Sequence, residues 1–274
     1  MRHCGVSRRL RALVDACHPL PTLAVTTVVA LLSSAAGRDA AGVALMALAT
    51  LVGQLSVGWC NDAYDADRDR AAGRTEKPVV RGDVAPRTLW TAATVALVLA
   101  VPLSVLAAGW RGGAAHVVAV LSAWAYDLRL KTTVLSWLLY AVSFGLVPAY
   151  VLLGVEPPAA PPAWLTAAAA LLGVAAHLAN ALPDIESDTG VGAGGVVARL
   201  GAAWSARLAL LALVAAVALL APQLGGPGWL GAALVLGVAA GAVLVGVRGR
   251  WLFRYVMAVA LLAVVLLLLA ARTA

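Results

Sequence analysis

The chain has 274 residues, 62% of them hydrophobic and only 12% charged, with a mean hydropathy of +0.92. Soluble domains carry about 25% charged residues, so this composition excludes an ordinary water-soluble globule and predicts an all-α polytopic membrane protein. The net charge of +7 would suit nucleic acid, but the basic residues are placed as membrane-topology signals and leave that partner nothing to explain.

Residues 1–18 begin with Arg2, Arg8, Arg9 and Arg11 and read as a cytoplasmic N-terminus. The apolar run and the small residues at Ser33–Gly37 resemble a signal peptide. Pro19, Pro21 and the many later apolar runs favour an uncleaved first span instead. Nine spans are predicted, near 19–36, 42–60, 88–108, 114–126, 132–153, 163–182, 203–220, 229–247 and 251–270. Most approach the roughly 20 residues that cross the hydrocarbon, and the fourth is short. All of residues 1–274 form one domain, with polar loops at 61–87, 126–132 and 183–203.

Of the 20 Lys and Arg residues, all but Arg38, Arg111 and Arg272 lie in the N-terminus or in the loops after spans two, four, six and eight. Positive loops stay in the cytoplasm, so those loops are cytoplasmic and the C-terminus lies opposite. Cys4, Cys17 and Cys60 lack metal-ligand spacing and read as free thiols. Trp59, Trp90, Trp110, Trp164, Trp229 and Trp251 fall at span ends, as an interfacial belt does.

The end of span two carries Asn61, Asp62, Asp65, Asp67 and Asp69. Carboxylates beside hydrocarbon are costly and mark function. Span six ends in Asn180, Asp184, Glu186 and Asp188. Asn61, Asp65 and Asp69 are spaced by four and four, and Asn180, Asp184 and Asp188 repeat that spacing. Residues so spaced project from nearly one helix face. The four-span offset suggests two four-helix repeats plus one helix around a central cavity, with the site between the halves.

Oxygen-only ligands suit Mg²⁺ or Mn²⁺, and Mg²⁺ is usually completed by substrate phosphates. Arg74 and Lys131 follow the acidic runs closely and supply charge for a diphosphate. A diphosphate held beneath an apolar bundle implies a lipidic tail. The chemistry this permits is departure of diphosphate from an allylic carbon in a dry cavity.

The run Asn61-Asp62-xx-Asp65-xxx-Asp69-xxxx-Arg74-Thr75-xx-Pro78-xxx-Gly82 is similar to the first aspartate motif of the UbiA superfamily of intramembrane prenyltransferases. Tyr126-xxxx-Lys131-x-Thr133 resembles that superfamily's Tyr/Lys motif, and Asp184–Gly190 its second aspartate motif. The resemblance implies that Asn61, Asp62, Asp65 and Asp69 organise one Mg²⁺, and Asp184 and Asp188 a second. It implies that Arg74, Lys131 and Tyr126 bind diphosphate, that Asp65, Lys131, Asp184 and Asp188 carry catalysis, and that Asp184 orients or deprotonates an acceptor. Asn180 joins this set by its spacing alone. The partners implied are an isoprenyl diphosphate, a lipophilic acceptor and membrane lipid.

Three departures stand out. Lys77 occupies a place where the family often has Arg, His18-Pro19 replaces an Arg-Pro pair, and Gly192-Ala193-Gly194-Gly195 lacks the cations of many quinone-pathway members. His116 and His177 read as packed or interfacial side chains rather than catalytic ones. A terpene cyclase is the alternative outcome on the same fold, mildly disfavoured by only two Phe. A transporter would place its acids nearer mid-membrane. The phosphotransferase signature Asp-Gly-xx-Ala-Arg is missing from the sequence, and a phosphoribosyl donor stays open.

Overall fold

Small side chains let helices approach in lipid, where burial of apolar surface no longer drives association. The computed structural model describes residues 2–182, 185, 195–224, 228–245 and 249–270. The described residues fold as α1 (Arg2–Ala16), α2 (Pro19–Ala35), α3 (Ala40–Tyr64), α4 (Ala66–Ala71), α5 (Pro78–Arg81), α6 (Pro86–Ala125) and a π-turn (Tyr126–Leu130). They continue as α7 (Ser136–Gly145), α8 (Val147–Leu152), α9 (Ala163–Ala181), α10 (Val196–Leu220), a 3₁₀ turn (Ala221–Leu224), α11 (Gly228–Val245) and α12 (Gly249–Ala270). Asp39 caps α3, its carboxylate accepting from Gly42 N at 2.8 Å. Pro19, Pro78 and Pro86 open α2, α5 and α6, where a missing N–H does no harm.

Four described helices or helix–turn segments are long and apolar enough to cross a membrane, five if the bent α1–α2 pair counts as one span. The expected nine are not reached by that measure. One cause is that span five is helical only over Ser136–Leu152, α7 and α8 taken together, which is still shorter than the 18 residues a crossing needs. Another is α6, which holds two expected spans in one run. Within it Ala108 (φ −135°, ψ 17°) and Gly109 (φ 64°, ψ −177°) leave helical geometry.

The chain reverses there. Ser104 Oγ lies 2.7 Å from His116 Nδ1, whereas a straight helix would separate twelve residues by about 18 Å along its axis. Gly109 takes the left-handed φ that the reversal needs. Gly113 admits no side chain, because an added Cβ would lie 2.8 Å from the Val105 backbone. The break falls where the third expected span ends, so α6 supplies two antiparallel arms.

The main core is rich in alanine. Ala49, Ala168, Ala206, Ala209, Ala216 and Ala263 are fully buried around Met46, Leu165 and Leu213. Large apolar groups face outward instead, including Leu106, Trp110, Leu236 and Leu261, as a lipid-facing surface requires. A second cluster of Ala12, Ala16, Ala63, Ala66, Val79, Val84 and Leu89 caps one end of the bundle. It ties α1, α4 and α5 to the ends of α3 and α6, and the acidic motif sits on that cap. Cys17 and Cys60 are buried free thiols, as expected.

Widening the α6 hairpin tests this packing. Gly113→Val should lower the thermal midpoint in detergent, since overpacking costs about 1–3 kcal/mol. Gly237→Ala, which meets nothing within 4 Å, should leave the midpoint within a degree or so of wild type.

Candidate active site

A continuous helix would put Asn61, Asp65 and Asp69 on one strip. The structure differs, because α3 stops at Tyr64 and Asp65 is both its C-cap and the residue before α4. The motif divides into two pairs. Asn61 and Asp65 turn toward the end of α6, and Asp62 and Asp69 turn toward the loop before α5.

The first pair forms a two-rung ladder with the π-turn. Asn61 Nδ2 donates to Asp127 Oδ1 at 2.9 Å. Lys131 Nζ donates to Asp65 Oδ1 and Oδ2, both at 2.5 Å. Both pairings join residues four apart on each side, so the two segments run in register. The π-turn closes with Lys131 N bonded to Tyr126 O at 2.9 Å, and such turns are frequent at functional sites. Lys131 Nζ also lies 5.2 Å from the Tyr64 ring centroid. Gly195 passes close to its backbone, where any Cβ would collide with the Lys131 carbonyl.

The second pair shares Lys77. Asp62 is 1% exposed and Asp69 2%. Lys77 Nζ donates to Asp62 Oδ1 at 2.7 Å and lies 3.1 Å from Asp69 Oδ2. The latter contact pairs charges without hydrogen-bond alignment, since Asp69 Oδ2 accepts no hydrogen bond among the described residues. Arg74 Nη1 is 3.5 Å from Asp69 Oδ1. Burial alone would push the Lys77 ammonium down. The charges of Asp62 and Asp69 outweigh it, so Lys77 sits above its usual value and stays charged. Arg81 shapes this loop, donating from Nε to Asp83 at 2.7 Å and from Nη1 to Glu76 O at 2.5 Å.

His18 completes the Asp62 side. It takes a left-handed backbone (φ 53°) between α1 and α2, which meet at 63°. The conformation is uncommon for a non-glycine residue, and it brings Nε2 within 2.9 Å of Asp62 Oδ1. Trp59 Nε1 donates to Leu13 O at 2.8 Å and Thr22 Oγ1 to Cys17 O at 2.8 Å, which hold the bend in place.

An aromatic group lies beside Lys131. Tyr126 packs edge-on to Tyr140 at 5.0 Å and to His177 at 5.6 Å, and Tyr140 stacks on Phe144 at 6.2 Å. His177 Nε2 is 3.0 Å from Ser136 Oγ, and Tyr140 hydrogen-bonds Asn180. Tyr126, Lys131, Ser136, His177 and Gly195 line a cavity of about 70 Å³ that reaches Ile185. His116, by contrast, is packed against Ser104 and stacked on Tyr150 at 4.3 Å.

The sequence reading missed Asp127 and the gathering of Tyr140, Phe144 and His177. Tyr140 and Phe144 share a face by their spacing of four, which was the available signal. Asp184 and Asp188 lie outside the described residues.

The model of the UbiA prenyltransferase family matches residues 22–254. The chain belongs to the UbiA prenyltransferase family. Members of this family are intramembrane prenyltransferases. No curated protein matches the sequence. The UbiA fold is evident in solved structures. A UbiA homolog from Archaeoglobus fulgidus bound to DMAPP and Mg²⁺ aligns with TM-score 0.72 at 15% identity, covering 94% of this chain and 98% of that one. A digeranylgeranylglyceryl phosphate synthase structure aligns with TM-score 0.71 at 15% identity, covering 97% and 99%. The apo UbiA homolog from Aeropyrum pernix K1 aligns with TM-score 0.67 at 21% identity, covering 87% and 94%.

The donor set of this UbiA chain fits a hard divalent cation. Among the described residues no three His, Cys, Asp or Glu side chains converge to hold a metal by themselves. Mg²⁺ needs only one or two carboxylates when phosphates complete its shell. Asp127 Oδ2 is a buried acceptor without a hydrogen-bond partner among the described residues, while Asp69 Oδ2 is met by the Lys77 ammonium; both are oxygen donors of the kind a hard cation takes.

Lys77 is the counter-charge whose loss should be felt most. Removing one member of a buried ionic group costs on the order of 3 kcal/mol. Lys77→Met should therefore lower the thermal midpoint, and adding Asp62→Asn should restore part of it. Equal midpoints for wild type and Lys77→Met would show that the contact contributes nothing.

Proposed function

We propose that this chain is a divalent-metal-dependent enzyme that transfers a prenyl group from an isoprenyl diphosphate to an aromatic or other lipophilic acceptor. The observation that carries this is the gathering of Asp62, Asp65, Asp69, Lys77, Lys131 and Arg74 at one end of an apolar bundle. That end suits a substrate with an anionic head and a hydrocarbon tail. UbiA homolog structures with DMAPP or GPP and Mg²⁺ support the donor class and the metal.

Asn61, Asp62, Asp65 and Asp69 would hold one Mg²⁺, and Asp184 and Asp188 a second, with Mn²⁺ a substitute in either place. When bound, the ions supply positive charge to the departing diphosphate. Arg74 and Lys131 donate hydrogen bonds to diphosphate oxygens, with the Tyr126 hydroxyl and Asn180 bordering the same space. The allylic C–O bond breaks and its electron pair leaves with the diphosphate. The Tyr126 ring borders the space in which the allylic cation would form, and the apolar walls keep water away. An electron pair of the acceptor forms the new bond, and the displaced proton passes to Asp184. The site and the N-terminus face the cytoplasm and the C-terminus lies opposite, as the arginine distribution supports.

The aromatic group beside Lys131 also favours a second reading, a cyclase that quenches the cation within the prenyl chain itself. Geranyl, farnesyl and geranylgeranyl diphosphates, each with Mg²⁺ and with or without aromatic acceptors, separate the two. Transfer gives pyrophosphate and a prenylated acceptor. Cyclic hydrocarbons or alcohols from donor alone would establish the cyclase, and no pyrophosphate from any donor would overturn both.

EDTA should abolish turnover and Mg²⁺ restore it. Asp65→Ala and Asp184→Ala should each lower kcat by about 10²–10³-fold, the size of effect expected when one preorganised charged group is lost. Near-normal turnover in either variant would remove that residue from the site.

A further inference from the structure

The two-rung ladder contains one residue to which neither aspartate motif lays claim. Asp127 is 3% exposed and stands on the π-turn, four residues before Lys131. Its Oδ1 accepts from Asn61 Nδ2 at 2.9 Å. Its Oδ2 is buried with no hydrogen-bond partner among the described residues. Asp65, Lys131 and His18 are close enough to act on it electrostatically.

An asparagine amide has a donor end and an acceptor end, and only the oxygen can ligate a cation. In the structure the donor end of this amide faces Asp127, whose Oδ1 accepts from it. Asp127 therefore engages the NH₂ end of Asn61 and leaves Oδ1 as the ligating atom. This is the part that partners behind a ligand play in many metal sites, where they fix its orientation.

We propose that Asp127 is a positioning residue of the metal site, holding the Asn61 amide with its oxygen turned to the cation. The inference rests on the metal-dependent reading above. It also explains why the chain places a carboxylate at this buried point: the ladder needs an acceptor there, and an amide could present either end to Asn61.

The test reads metal affinity without turnover. Full-length protein in detergent is titrated with MgCl₂ in the presence of geranyl S-thiolodiphosphate, an unreactive donor analogue, and thermal unfolding is followed. Asp127→Asn should raise the Mg²⁺ concentration for half-maximal stabilisation by about 10–100-fold, the usual cost of losing a partner behind a metal ligand. In an Asn61→Ala background the same change should shift it less than about threefold, because coupled residues are not additive. A midpoint within about twofold of wild type, or an undiminished shift in the Asn61→Ala background, would overturn the proposal. Should Asp127→Asn fail to fold, Asp127→Ser is read on the same titration with the same criteria. A wild-type protein with no Mg²⁺ response would overturn the metal-dependent reading as well, which separates the two failures.

Discussion

Carboxylates buried at the end of an apolar bundle must meet positive charge or a cation, and that requirement organises the structure. Asp62 and Asp69 are almost wholly enclosed. In water an ion pair of this kind would contribute little. Away from water an uncompensated carboxylate is strongly destabilising. Two lysines answer that need, Lys77 for Asp62 and Asp69 and Lys131 for Asp65. The local backbone is shaped to allow it: a break at Asp65, a left-handed His18, an Arg81-bound loop and a π-turn before Lys131.

The scaffold around this cluster is built from close backbone approach. The α6 hairpin brings Ser104 against His116 and leaves no room for a side chain at Gly113. One arm of the hairpin runs into the π-turn, so the packing that closes the hairpin also sets where Asp127 and Lys131 stand. The cap of Ala12, Ala16, Ala63, Val79 and Leu89 does the same for the loop that carries Lys77. Rigid packing at both places supports a site whose members come from distant parts of the chain.

Much of this was legible in the sequence. Composition and periodicity give the all-α membrane class, and the acidic motif with Arg74 and Lys131 points to the end of the bundle where they meet. Spacing alone does not say how the motif divides. Asp62 and Asp69, seven apart, share a helix face much as Asn61 and Asp65 do, and distant partners, Lys77 for the one pair and Asp127 with Lys131 for the other, decide the grouping. Asp127 was obscured because a single acid in a basic loop looks solvated until a long-range partner is known, and Asn61 is 66 positions away. The division between the third and fourth expected spans coincides with the reversal at Gly109, whereas the shortness of the helical run in span five was not visible to hydropathy. His116 and His177 are packed as expected, but His177 also borders the cavity beside Lys131.

Lys77 and Lys131 are the only two lysines among the 20 basic residues. Everywhere else the chain uses arginine, whose guanidinium is planar and poorly nucleophilic. The primary amines of this protein's side chains are thus confined to a single locale, each held against a carboxylate. Acylating or aldehyde reagents that modify lysine would have no peripheral targets on the folded chain beyond its amino terminus. Their reaction would report directly on how freely each ammonium can leave its aspartate.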